Sequence, residues 1–235
     1  MSSRSGRVPS RPRRAAEGRL IARPRRRAGP APTGLQPLGL ADGRDGLLYV
    51  PASYRTDAPA PLVLALHGAG GNGEQGLAPL RGPADRHGLI LLAPESRGQT
   101  WDVILGPGYG PDVTFVDRAL DLAFRRYAVD PGRVAVSGFS DGASYALSLG
   151  ITNGDLFTHV LAFSPGFMAP AAQRGRPRVF VAHGTRDGVL PVEVCSRRIV
   201  PQLERAGYAV RYVEFPGPHV VPPAIAAEAA AWLAG

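Results

Sequence analysis

Short apolar runs of β type recur along the chain with helical stretches between them. Leu62–Leu66, Leu89–Ala93, Val134–Ser137, Val160–Phe163, Val179–Ala182 and Val210–Phe215 are the runs. Helical patterns fall near Gln75–His87, over Asp112–Tyr127, from Asp141 to Gly150, over 192–206 and over Pro222–Ala234. In the second of these, Val113, Val116, Leu120 and Ala123 share one helix face. Such alternation restricts the fold to an α/β class: a mainly parallel sheet with helices on both faces. "GLLYVP" adds an early strand, expected as an antiparallel edge.

The third run passes directly into a helix through "GFSDG", with Ser140 between Gly138 and Gly142. A sharp strand-to-helix turn leaves no room for neighbouring side chains and lifts the serine hydroxyl above the sheet edge. A Gly-rich helix start with Ser140 as a simple N-cap is the plain alternative. A serine hydroxyl is a weak nucleophile unless a base takes its proton and an acid orients that base. Two later strands end in loops carrying suitable partners. Val179–Ala182 leads to Asp187 in "HGTRDGVLP", and Val210–Phe215 leads to His219 in "FPGPH". Strand ends are where open parallel sheets place ligands. Glu214 is the second choice for the acid, but a strand residue so near His219 would have to bend back to reach it. His183 is read as a brace for the Asp187 loop, and His87 and His159 as structural.

"LHGAGG" after Leu62–Leu66 is the fourth element. Its glycines allow close backbone approach to a substrate carbonyl, so the N–H groups of Ala69 and Asp141 are the expected oxyanion donors, with His67 shaping the loop. A phosphate-binding P-loop is excluded, because the chain contains no lysine. Trp101, Phe167, Met168, Val189 and Leu190 are candidate pocket walls; each could equally be an ordinary core residue. Only about 15 residues separate the run ending at Phe163 from the one starting at Val179. That is too short and too rich in Pro and Gly for a cap domain.

Charge is segregated. Of the net +8, ten arginines against Glu17 lie in residues 1–34, which leaves the remainder one unit negative. This Arg/Pro-rich extension has few large apolar residues and is expected to be disordered, with 35–235 as the folded domain. It has no interleaved aromatic residues to stack on bases, so no nucleic-acid partner is expected. No apolar stretch reaches the length of a membrane span. The single cysteine, Cys195, can form no internal disulfide and is read as a bystander in a helix. A cytoplasmic protein is expected, and neither metal nor cofactor is called for.

Taken together, "LHGAGG", "GFSDGAS", "HGTRDGVLP" and "FPGPH" resemble the small bacterial α/β-hydrolases of the phospholipase/carboxylesterase and polyhydroxybutyrate-depolymerase-like group, over roughly residues 40–235. The resemblance implies an α/β-hydrolase fold, a Ser140–Asp187–His219 triad, and cofactor-free cleavage of small, short-acyl esters through an acyl-enzyme. Asp141 departs from the acyl-protein thioesterase branch, which carries Gln after the nucleophile. Thioester or peptide cleavage by the same triad, or binding without catalysis on a hydrolase scaffold, are the alternatives. Oligomeric state is not legible.

Overall fold

A computed structural model describes residues 11–25 and 31–235. Eight strands form one sheet in the order β1-β2-β4-β3-β5-β6-β7-β8. They are β1 (Gly34–Pro37), β2 (Gly46–Val50), β3 (Ala60–Leu66), β4 (Ile90–Pro94), β5 (Val129–Phe139), β6 (His159–Phe163), β7 (Arg178–Gly184) and β8 (Val210–Phe215). From β3 to β8 all pairings are parallel, whereas β2 runs antiparallel to both β1 and β4. The "GLLYV" strand is therefore antiparallel, as expected, but it is not the edge. The four-residue β1, too short to signal itself in sequence, takes that place.

Both faces of the sheet's interior are apolar, which is why β3, β4, β6 and β7 read as near-continuous apolar runs. On β3, Leu62, Leu64 and Leu66 turn to one face and Val63 and Ala65 to the other. The second face is covered by α2 (Gly73–His87) and α7 (Pro223–Ala234). The first is covered by α4 (Pro111–Arg126), α5 (Asp141–Thr152) and α6 (Ser196–Arg205). Cys195 is the N-cap of α6, not an interior residue, and is buried with its thiol pushed up by that burial. A short helix α3 (Asp102–Leu105) follows β4. The connection from β6 to β7 contains neither helix nor strand beyond one isolated bridge, Gly154 to Gly175.

The expectation of a disordered extension over 1–34 does not hold for residues 14–25. After α1 (Arg11–Ala16) this segment lies along α4 and across the C-terminal end of α5. Leu20 is fully buried, and Ala15 and Ala22 join the same core cluster. Asn153, the C-cap of α5, accepts from the Leu20 N–H at 2.9 Å and donates to the Gly18 carbonyl at 2.8 Å. Asp117 on α4 accepts the N–H groups of Ile21 and Ala22 at 2.7 and 2.9 Å. Arg19 donates to the Thr152 carbonyl at the negative end of the α5 dipole, and Arg19 and Arg23 both pair with Asp155. Composition misjudged this arm because three small or branched apolar residues and a set of directed hydrogen bonds are enough to dock it. The remaining parts of the expected extension, 1–10 and 26–30, lie outside the described residues.

Docking of this kind has a measurable cost of removal. Leu20→Ala is expected to lower stability by about 2–5 kcal/mol, the usual range for emptying a buried leucine site. That is a melting temperature lower by roughly 4–20 °C in a chain this size. Leu35→Ala, at a side chain about half exposed, should change it by less than about 0.5 kcal/mol. The arm should also be acid-sensitive. The Arg19 hydrogen bond, opposed by burial, holds the Asp155 carboxyl well below its ordinary 3.8. A carboxylate depressed in the folded state stabilises above its unfolded value and loses that contribution as pH falls below it. Hydrogen exchange at Leu20 and Ile21, followed from pH 6 down to pH 2, should show protection steady above the ordinary 3.8 and falling progressively below it. Unchanged protection throughout would contradict the role given to Asp155.

Candidate active site

The turn from β5 into α5 places Ser140 at φ 57°, ψ −121°, a conformation that non-glycine residues rarely hold. Its flanking glycines are required by space. A Cβ on Gly142 would run into the carbonyl oxygens of Leu66 and His67, and one on Gly138 into the backbone of Gly142. The Ser140 N–H donates to the Phe163 carbonyl at 3.0 Å, which ties the turn to the end of β6.

Loops after β7 and β8 meet this turn. Thr185 and Arg186 donate their N–H groups to the carbonyls of Phe215 and Gly217. Gly184 has no room for a Cβ against Gly217, so the two loops touch through bare backbone. This brings Asp187 and His219 together. His219 Nδ1 lies 2.6 Å from Asp187 Oδ2, and its Nε2 lies 2.9 Å from Ser140 Oγ. An ionised carboxylate can only accept, so Nδ1 carries the proton and Nε2 is free to accept from the serine hydroxyl. The Phe139 ring packs 4.6 Å from the imidazole.

Asp187 is buried but well provided for. Its Oδ1 accepts the N–H groups of Val189 and Leu190 at 2.9 and 2.8 Å. Burial alone would raise its pKa; the bonds from Leu190, His219 and Val189 outweigh that and hold the carboxyl below the usual range. His183 is buried between the Ser196 hydroxyl at 2.6 Å and the Leu190 carbonyl at 2.7 Å, with burial keeping it neutral, so it braces this loop. Glu214 is turned elsewhere. It takes a two-pronged bond from Arg197 at 2.9 and 2.8 Å and another from the Tyr212 hydroxyl, which hold its pKa at about 2.

The Gly-rich loop after β3 faces Ser140 from the other side, where a Cβ on Gly68 would lie 3.5 Å from the Ser140 Cβ. His67 is buried there. It donates from Nδ1 to the Gly68 carbonyl at 2.7 Å and accepts the Ser96 N–H at Nε2, 3.0 Å, with burial lowering its pKa. Gly70 and Gly71 spend their N–H groups on the Gln99 and Gly68 carbonyls. Among the described residues the Ala69 N–H finds no backbone acceptor, and Asp141 opens α5, where no preceding turn accepts its N–H.

Trp101, expected as a pocket wall, is fully buried. Its indole N–H donates to the His67 carbonyl at 2.9 Å, and its ring stacks on Tyr145. It props the Gly-rich loop from below. Thr100, which sequence reasoning missed, donates its hydroxyl to the Asp141 carboxylate at 2.7 Å. Residues 99–101 thus hold the Gly-rich loop and the start of α5 in one frame. Phe167 and Val189 are exposed near the site, Leu190 is half-buried against Gly166, and Met168 is half-buried against the core. A cavity of about 540 Å³ lies between the arm and α4 and is lined by none of these residues. Among the described residues no cluster of His, Cys, Asp and Glu could hold a metal, and no helix is long and apolar enough to cross a membrane.

Residues 115–220, which include Ser140, Asp187 and His219, match the family model described as "Putative esterase". The chain is 32% identical over 157 residues to the bifunctional acetylxylan esterase/xylanase XynS20E of Neocallimastix patriciarum, covering 63% of this chain and 22% of that protein. It is 28% identical over 158 residues to a probable feruloyl esterase C of Aspergillus clavatus, covering 64% and 57%. It therefore spans between about a fifth and three fifths of the length of these relatives. Among solved structures, esterase PE8 superposes with a TM-score of 0.65 at 24% identity, covering 80% of this chain and 96% of that one. The Staphylococcus aureus fluorophosphonate-binding serine hydrolase FphF does so with a TM-score of 0.68 at 13% identity, covering 88% and 100%. The chain shares the fold of these solved hydrolases, and the curated relatives its sequence matches are named esterases.

Proposed function

We propose that the protein is a serine hydrolase that cleaves carboxylic esters of small, short-acyl substrates through an acyl-enzyme. The observation that carries this reading is the unbroken line from Ser140 Oγ through the His219 ring to Asp187, with spacings of 2.9 and 2.6 Å. In the first step Ser140 Oγ attacks the ester carbonyl carbon while His219 Nε2 takes the hydroxyl proton. The carbonyl oxygen becomes an oxyanion facing the N–H groups of Ala69 and Asp141, which carry positive partial charge and need no rearrangement to accept it. His219, now an imidazolium held by Asp187, returns the proton to the departing alkoxide, and the alcohol leaves. Water then enters, gives a proton to Nε2, and attacks the acyl carbon. Collapse frees the carboxylic acid and restores Ser140.

The names of the relatives support small acyl groups and sugar-borne or aromatic esters as the first to try. Apolar contact contributes about 0.8 kcal/mol per buried CH₂, and that gain requires walls. Here the walls are the few side chains Phe167, Met168, Val189 and Leu190. A fluorophosphonate probe should label Ser140. In a series of chromogenic esters, kcat/KM should be higher from acetyl to hexanoyl than for palmitoyl, with no jump when the substrate forms an emulsion. No labelling, together with no turnover on acetyl, hexanoyl or feruloyl esters, would leave a binding scaffold as the better reading.

A further inference from the structure

Helix α5 carries three hydroxyl residues four positions apart, Ser144, Ser148 and Thr152, all buried. Such spacing puts them in one row on the helix. Each receives backbone N–H groups from the segment that follows β6. Gly166 and Phe167 donate to Ser144 at 2.9 and 3.4 Å, Ala169 to Ser148 at 2.8 Å, and Ala171 to Thr152 at 3.1 Å. Each hydroxyl in turn donates to the carbonyl four residues back, in Ser140, Ser144 and Ser148 respectively. The Tyr109 hydroxyl holds the same segment through the Ala169 carbonyl at 2.9 Å.

The row does what a sheet or helix does elsewhere. Residues 165–171 lie in neither, so their N–H groups need acceptors from another source. The segment also leaves β6 through Ser164 at φ 50°, a conformation that persists only when its surroundings enforce it. The first rung differs from the others in where it reaches. The Ser144 hydroxyl bonds the carbonyl of Ser140 itself, at 3.4 Å, and the N–H of Phe167, at 3.4 Å. One oxygen thus joins the nucleophile's backbone to the exposed aromatic residue beside the site.

We infer that Ser144 is a positioning residue for acyl selection: it sets the Phe167 side chain at a fixed distance from Ser140, and this wall discriminates between acyl groups of different length. The inference rests on the ester-hydrolase reading of Ser140. In that reaction the bond from the acyl carbon to Ser140 Oγ forms in the first step and breaks in the second, so a wall indexed to the Ser140 backbone is indexed to the acyl chain between them. A loop pinned only at Ser148 and Thr152 would keep its fold but not that register.

The test compares Ser144→Ala, Phe167→Ala and Thr152→Ala on hexanoyl and acetyl esters. Ser144→Ala and Phe167→Ala should each lower the ratio of kcat/KM for hexanoyl over acetyl by fivefold or more. Thr152→Ala, at the rung farthest from Ser140, should lower the melting temperature while leaving that ratio within twofold. In Ser144→Ala the amides of Gly166 and Phe167 should exchange faster while that of Ala171 stays protected. An active, labelled parent whose ratio is unchanged in Ser144→Ala, or moves equally in Thr152→Ala, overturns the inference alone. A parent that hydrolyses neither ester and takes no fluorophosphonate label overturns the ester reading and this inference with it. If Ser144→Ala does not fold, an unchanged ratio in Phe167→Ala, a substitution at an exposed ring, is sufficient to reject it.

Discussion

Ser140→Ala lowers ester turnover by about 10³-fold or more, the scale on which triads that act as a unit fail. Only one atom is lost, and it is the atom that His219 Nε2 faces at 2.9 Å. The backbone that holds it is left as it was. Ser140→Gly should abolish turnover as well, yet it should raise stability. A non-glycine residue at φ 57° carries about 1–3 kcal/mol of strain, and glycine releases it at an entropic cost of about 0.5–1 kcal/mol. A net gain of about 1 kcal/mol corresponds to roughly 2–4 °C in a chain of this size. Turnover measured beside thermal unfolding separates the two effects. Near-normal hydrolysis by Ser140→Ala of every ester the parent cleaves would end the nucleophile assignment. A glycine variant that melts below the parent would end the strain argument.

Asp187→Asn comes second, with an expected loss of about 10³–10⁴ in kcat. An asparagine amide can donate as well as accept. It would favour the ring tautomer with the proton on Nε2, the atom that must accept from Ser140. The variant should remain folded, because the asparagine oxygen can still take the Val189 and Leu190 N–H groups now bound to Oδ1. Glu214→Gln should cost less than about threefold, since its carboxylate is committed to Arg197 and Tyr212. Kinetics of the two variants on one acetyl ester give the ranking directly. A larger loss at Glu214 than at Asp187 would transfer the acid role.

The meeting of Ser140, His219 and Asp187 was legible because its parts are local signals in a fixed order. Gly138 and Gly142 announce the turn, Asp187 follows the buried apolar run of β7, and His219 follows β8, an edge strand with no buried residue. Side-chain direction was not legible in the same way. Trp101 follows β4 as a wall residue would, but whether an indole points into a site or under it depends on what lies beneath, here Tyr145 and the His67 carbonyl. The hydroxyl row of α5 was visible as Ser, Ser and Thr at intervals of four, yet its partners come from a segment whose path no local rule predicts. The arm is the clearest failure. Average composition describes how much surface a segment can bury, but Leu20, Arg19 and Gly18 are held by Asn153 and Asp155, more than 130 residues away. Four residues with proline at one end, "GLQP", were likewise too brief to read as a strand, although β1 pairs with β2 along its length.

Cys195 is the sole sulfhydryl of the chain, and it is sealed where α6 begins, beside the loop that carries Asp187. Thiolate chemistry there must wait for that seam to part, since burial raises the thiol and shields it from reagents. The rate at which a thiol reagent consumes the protein is therefore a clock for local opening on the β7 side of the sheet. It runs without reference to hydrolysis. Any treatment that stops turnover while leaving this clock unchanged has acted on the chemistry, and any that quickens it has loosened the scaffold.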